Sequence, residues 1–131
     1  MELQLKIVGG LLIALATIHI IFPRYFRWKE ELATVSLVNR QIMYIHTLFI
    51  ALVLLLMGLL CLTSSTELIA TVLGKRIAAG LGFFWLIRLF VQFVGYSSKL
   101  WRGKTFETTV HVLFSLLWLY FIAVFIGVYW W

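Results

Sequence analysis

The sequence predicts an all-α, polytopic membrane protein, a bundle of four transmembrane helices, and three observations lead to this prediction. Hydrophobic residues make up 63% of the 131 residues, against about 45–50% in an ordinary soluble domain. Charged residues are only 12%, and aspartate does not occur. The apolar residues also fall into four long runs, each near the roughly 20 residues that a spanning helix needs. A domain this small cannot hide such an excess from water, so lipid is the solvent that fits.

The four runs define the predicted organisation, a single membrane domain over residues 1–131. Spans are expected at about 5–22, 41–62, 77–96 and 106–131. Pro23 is expected to end the first span, because proline cannot continue a helix without losing a hydrogen bond. Aromatic and basic residues alternate in the segment at about 24–38, which predicts an interfacial helix in the headgroup layer.

The net charge of +6 comes from short loops between the apolar runs. Anionic membrane lipids, and not nucleic acid, are therefore the expected partners. We call side A the membrane face that carries the loops at about 23–40 and 97–105. Side A holds seven of the eleven basic residues, and the opposite face, with both termini, holds three. The positive-inside rule predicts that side A is cytoplasmic and that both termini are non-cytoplasmic. The plasma (inner) membrane is the expected location.

Histidine occurs three times, as His19, His46 and His111, and each lies inside a predicted span near side A. With a rise of 1.5 Å per residue, all three lie within roughly 5–10 Å of the same interface. Imidazole is the commonest metal ligand and a usual axial ligand of haem iron. We therefore expect these histidines to hold a cofactor, either haem b or a single transition-metal ion. The alternative is that each imidazole hydrogen-bonds a loop or a headgroup.

Arg88 lies inside the third predicted span, about two turns from side A, and Gln92 follows it by one helical turn on the same face. A guanidinium at this depth needs an anionic partner; the candidates are Glu107, a haem propionate and a lipid phosphate, unless the side chain extends to the interface. Arg88 is accordingly a predicted cofactor-binding residue. Glu107, one turn before His111, is predicted to orient that imidazole, and Gln92 and Tyr44 are expected to support the same site.

Three functions fit this pattern. The first is a membrane redox component, or a small oxidoreductase, in which the histidine-held cofactor transfers electrons to or from quinone or lipid. The second is a non-enzymatic subunit or assembly factor of other membrane proteins, whose polar cluster only pins the helices. The third is a protein that binds an anionic lipid headgroup through Arg88. No catalytic residue can be assigned, because the sequence has no CxxC, phosphate-binding loop or nucleophile elbow. An oligomer is compatible with all three functions.

Overall fold

The structure, a computed structural model, describes residues 1–96, 98–100 and 102–131. Within those ranges the chain is helical and contains no strand. Four of its helices are long and apolar enough to cross a membrane. The predicted all-α fold class with four spanning helices is confirmed, and the chain is an integral membrane protein.

Helices follow one another closely along the described chain. Their bounds are α1 Glu2–Tyr25, α2 Trp28–Glu31, α3 Leu37–Thr63, α4 Ser65–Ala70, α5 Val72–Val94 and α6 Thr105–Trp130, with a 3-10 turn at Ser98–Leu100. Hydroxyl caps set two of the starts. The Ser36 hydroxyl accepts a bond from the Asn39 N–H at 3.4 Å, and the Thr71 hydroxyl accepts one from the Gly74 N–H at 2.8 Å. The Thr71 cap starts α5 at Val72 rather than near residue 77, because a capped N-terminus satisfies otherwise unpaired N–H groups.

Pro23 does not end α1, so that expectation was wrong. The helix continues through the proline to Tyr25, and the Phe26 N–H still donates to the Phe22 carbonyl at 2.9 Å. Proline removes only its own N–H bond, so the bonds after it can close the last turn. The chain then turns at Arg27, which has a left-handed backbone with φ 55°, and enters the short helix α2 inside the predicted interfacial segment.

The chain forms two compact units, and each is described by itself. The N-terminal unit is Lys6–Ser65, and the C-terminal unit is Met1–Leu5 together with Thr66–Trp131. In the N-terminal unit, α1 and α3 approach each other at glycine. A Cβ added to Gly58 would lie 2.8 Å from the Gly9 carbonyl oxygen. Small residues at such crossings let helix backbones come close.

In the C-terminal unit, α5 and α6 pack against each other through an aromatic core. The Trp85 ring stacks on Trp118 with ring centroids 4.9 Å apart and an interplanar angle of 18°, and Phe121 meets the Trp85 ring edge-on at 4.9 Å. The start of α1 joins this unit through a hydrogen bond from the Tyr120 hydroxyl to the Gln4 side chain. The rings fix the register of α5 against α6, which positions the polar residues described next.

Candidate functional site

Polar side chains of α5 and α6 form a chain of hydrogen bonds inside the C-terminal unit. Arg88 Nη1 donates to Gln92 Oε1 at 3.1 Å, and Gln92 Nε2 lies 2.9 Å from His111 Nδ1. Arg88 is half-buried, and Gln92 is 7% exposed. We call Arg88, Gln92 and His111 the polar triad. Two of its members stand one turn apart on α5, and the third lies near the start of α6.

The chemistry of the three groups fixes the direction of this chain. A guanidinium has N–H donors and no acceptor, so Gln92 must turn its carbonyl oxygen to Arg88. The amide nitrogen of Gln92 then faces His111, and an amide NH₂ can only donate. His111 therefore accepts at Nδ1, and its ring hydrogen is carried by Nε2.

Aromatic rings surround the guanidinium of Arg88. Its central carbon lies 5.2 Å from the centroid of the Trp118 ring and 5.6 Å from that of Tyr96, which is within the range of cation–π attraction. Tyr96 follows the C-terminal end of α5, so the guanidinium is directed towards that end of the helix. The charge is thus held by ring faces and by one neutral amide.

Glu107 does not neutralise Arg88. Its side chain is exposed in the first turn of α6, and no ion pair joins it to Arg88 in the part of the chain that the structure describes. The side chain that holds His111 Nδ1 is Gln92. Of the three residues predicted to support the site, Glu107, Gln92 and Tyr44, the structure shows Gln92 hydrogen-bonded to the imidazole.

Two indole N–H groups add to the excess of donors. Nε1 of Trp85 and Nε1 of Trp118 are buried, and neither finds an acceptor in the part of the chain that the structure describes. Burying a donor without a partner is unfavourable. The surroundings of Arg88 are therefore rich in N–H groups and poor in acceptors.

The other two histidines belong to the N-terminal unit. His19 Nδ1 lies 2.8 Å from the Leu15 carbonyl oxygen, so this nitrogen donates, and its ring packs on Phe22 at 4.6 Å. His46 is exposed on α3. Among the described residues, no group of three or more His, Cys, Asp or Glu side chains is arranged to hold a metal ion. Haem b or a transition-metal ion on His19, His46 and His111 stays a prediction.

Tyr44 contacts the interfacial segment. Its ring meets Trp28 of α2 edge-on at 5.4 Å, and Trp28 is 9% exposed. Tyr44 thus anchors α2 to α3 within the N-terminal unit. The ring contact that the structure shows for Tyr44 is with Trp28 and not with a histidine.

Sequence reasoning found Arg88 and Gln92 together but missed the rings around them. Trp118 follows His111 by seven residues, two helical turns along the same face of α6. That spacing is the signal that could have placed Trp118 beside the triad. No protein-family model, curated protein or solved structure matches this chain, so a functional argument has to start from these residues.

Proposed function

We propose that this integral membrane protein binds the anionic headgroup of a membrane lipid through Arg88. The observation that carries the proposal is the setting of that charge: within the described chain, Arg88 hydrogen-bonds the neutral Gln92 and stacks on two rings, and it forms no ion pair. A cation inside a span is costly, up to about 2.5–3.5 kcal/mol at the centre of the helix on insertion scales. A phosphate or carboxylate that accepts two parallel guanidinium bonds would offset this cost.

The depth of Arg88 suits a headgroup. It precedes the last residue of α5, Val94, by six positions, which is about 9 Å along the helix. A long side chain can cover much of that distance and bring its charge to the interface, and the contact with Tyr96 points it in this direction. The lipid would belong to the leaflet on side A.

The charge of the loops favours the same ligand. Side A holds seven basic residues, and basic residues near a membrane surface each attract anionic lipids by about 1 kcal/mol. The positive-inside rule assigns side A to the cytoplasm, with both termini outside, and we propose the plasma (inner) membrane as the location. The cytoplasmic leaflet is also the one that is rich in anionic lipids.

The hydrogen-bond pattern favours a lipid over haem or a metal ion at His111. A ligating imidazole offers a ring lone pair, whereas here Nδ1 accepts from Gln92 and Nε2 carries the hydrogen. Ligation would require the Gln92 bond to break. The redox function predicted from the histidines therefore remains the rival against which the lipid proposal is tested.

Lipid retention by matched variants tests the proposal. The protein is extracted from native membranes in mild detergent, and bound lipids are identified by native mass spectrometry and by lipid extraction. Arg88→Gln removes the charge and keeps a polar side chain; Arg76→Gln makes the same change at an exposed position on the same helix. Loss of charge-assisted bonds worth about 1.5–3 kcal/mol predicts roughly 10- to 100-fold weaker retention for the Arg88 variant. The Arg76 variant should bind like the wild type.

Two outcomes would overturn the proposal. One is equal retention of anionic lipid by the wild type and Arg88→Gln. The other is a reducible Soret band or a stoichiometric metal ion that is lost in His46→Ala or His111→Ala, which would support the cofactor function instead. If neither lipid nor cofactor depends on these residues, the triad only joins α5 to α6, as the non-enzymatic subunit hypothesis requires.

A further inference from the structure

The polar triad contains few acceptors, and those that it has are engaged. Gln92 Oε1 accepts from Arg88, and His111 Nδ1 accepts from Gln92. Gln92 itself is 7% exposed, so its carbonyl oxygen is shielded from any ligand at the guanidinium. The remaining side-chain hydrogen-bonding groups of Arg88 and its ring neighbour Trp118 are N–H donors, whereas the hydroxyl of its second ring neighbour, Tyr96, can both donate and accept.

We propose that Gln92 is a positioning residue: by accepting from Arg88 and donating to His111, it fixes the imidazole as its Nε2–H tautomer, so that the side chains of the triad present N–H donors to a ligand. The ligand class follows from that character. A positively charged site that is rich in N–H donors recognises acceptor oxygens that carry negative charge, and its guanidinium repels an ammonium group. The ligand is therefore an anionic headgroup without an ammonium group, such as that of phosphatidylglycerol, in preference to a headgroup such as phosphatidylethanolamine. This ligand preference rests on the proposed function, whereas the tautomer does not.

We call the two hydrogen bonds that run from Arg88 through Gln92 to His111 the relay. Its direction depends on both neighbours of Gln92. If the amide of Gln92 were rotated by half a turn, its NH₂ would face the guanidinium. Two donors would then face each other, and no hydrogen bond could form between them. Its carbonyl oxygen would then face His111, and Nδ1 would have to donate. Arg88 excludes this second arrangement because a guanidinium cannot accept a hydrogen bond. The tautomer of His111 is thus set from α5, through a residue that touches both partners.

Nitrogen NMR of histidine-labelled protein measures the tautomer directly. The signals of His111 are assigned by comparison with His111→Gln, in lipid-free detergent at a mildly alkaline pH at which imidazole is neutral. The wild type should show an unprotonated, hydrogen-bonded Nδ1. Gln92→Glu is the sharpest variant, since an ionised carboxylate only accepts. It should move the hydrogen of His111 to Nδ1. Gln41→Glu, an exposed position at the start of α3, is the control and should leave His111 unchanged.

A second variant keeps the test independent of how Gln92→Glu folds. Arg88→Met removes the donor that orients the amide, so His111 should become a mixture of both tautomers. If His111 carries its hydrogen on Nδ1 in the wild type, or keeps one tautomer in all these variants, the relay is overturned.

Lipid competition tests the ligand class separately. Wild-type protein in nanodiscs should prefer phosphatidylglycerol over phosphatidylethanolamine by about tenfold or more, and Gln92→Glu should abolish the preference, because its carboxylate neutralises Arg88. A tautomer that responds as expected while the wild type binds both lipids equally would refute the ligand class and leave the relay supported. Loss of all lipid dependence on Arg88 would refute the proposed function itself.

Discussion

Replacing Gly58 by alanine should weaken the contact between α1 and α3, because the added methyl group has no space. A Cβ at Gly58 would lie 2.8 Å from the Gly9 carbonyl oxygen and 2.7 Å from Ile13 Cγ1, whereas ordinary contacts begin at 3.4 Å. Because the Gly9 oxygen belongs to the backbone, it cannot move away as a side chain could. The backbones of α1 and α3 must therefore separate until the distance from the Cβ to this oxygen increases from 2.8 to at least 3.4 Å. Overpacking of this kind costs about 1–3 kcal/mol.

Gly10→Ala is the matched control for this change. Gly10 lies on α1, the helix that α3 approaches, and it is the residue next to Gly9. A Cβ added to Gly10 meets nothing within 4 Å. Both variants gain the helix propensity of alanine, about 1 kcal/mol, so this term cancels in the comparison. Gly58→Ala should therefore be less stable than Gly10→Ala by about 1–3 kcal/mol. Reversible unfolding by SDS in mixed micelles, followed by circular dichroism, measures the difference. Equal stability of the two variants would show that the helix backbones do not meet at Gly58.

Three further variants test other contacts. Gly82→Ala brings a Cβ to 2.6 Å from Ile126 Cδ1, the movable end of a side chain, so its loss of stability should stay below about 1 kcal/mol; a loss as large as that at the α1–α3 crossing would contradict this. Trp85→Phe removes a buried N–H that has no acceptor in the described chain and keeps a ring, so the unfolding free energy should change by less than about 1 kcal/mol, against about 3–5 for Trp85→Ala. Trp28→Ala removes the ring that packs on Tyr44 and should speed tryptic cleavage of the interfacial segment, whereas Trp28→Phe should not; equal cleavage of both would refute the anchoring role.

The helices could be predicted from the sequence because their signals are local. Four apolar runs of spanning length need no tertiary information to be recognised. The errors were also local: Pro23 is tolerated in the last turn of α1, and Thr71 extends α5 beyond its apolar run. A hydroxyl three residues before an amide that it can cap is readable in advance, so the second error was avoidable.

The candidate site could be predicted only in part because it combines local and non-local contacts. Arg88 and Gln92 share a helix, and their spacing alone places them together. The bond from Gln92 to His111 depends on the register of α5 against α6, which the stacked Trp85 and Trp118 rings fix. No spacing in the sequence encodes that register. An estimate of depth along each span could not choose Gln92, rather than Glu107, as the partner of His111.

The neutral setting of Arg88 also separates a binding role from a structural one. The sequence contains a carboxylate close to this position, since Glu107 lies one turn from His111. The guanidinium nevertheless contacts an amide and two aromatic rings. This keeps the charge of Arg88 available to a ligand. A buried polar cluster is also a poor way to join two helices, because well-packed apolar residues of similar volume are often as stable or more stable by about 1–4 kcal/mol.

The triple variant Arg88→Met, Gln92→Leu, His111→Phe tests this reasoning by replacing the whole triad at once, so that no polar group loses its partner. Its unfolding free energy in SDS titration should equal that of the wild type or exceed it by up to about 4 kcal/mol, while retention of anionic lipid is lost. The single variant Arg88→Met should instead be destabilised by about 1–3 kcal/mol, because it leaves the buried Gln92 carbonyl without its donor. Two results together would contradict this reasoning: a triple variant that is several kcal/mol less stable than the wild type, and lipid retention that does not change in Arg88→Gln. The triad would then be a structural contact between α5 and α6 and not a binding site.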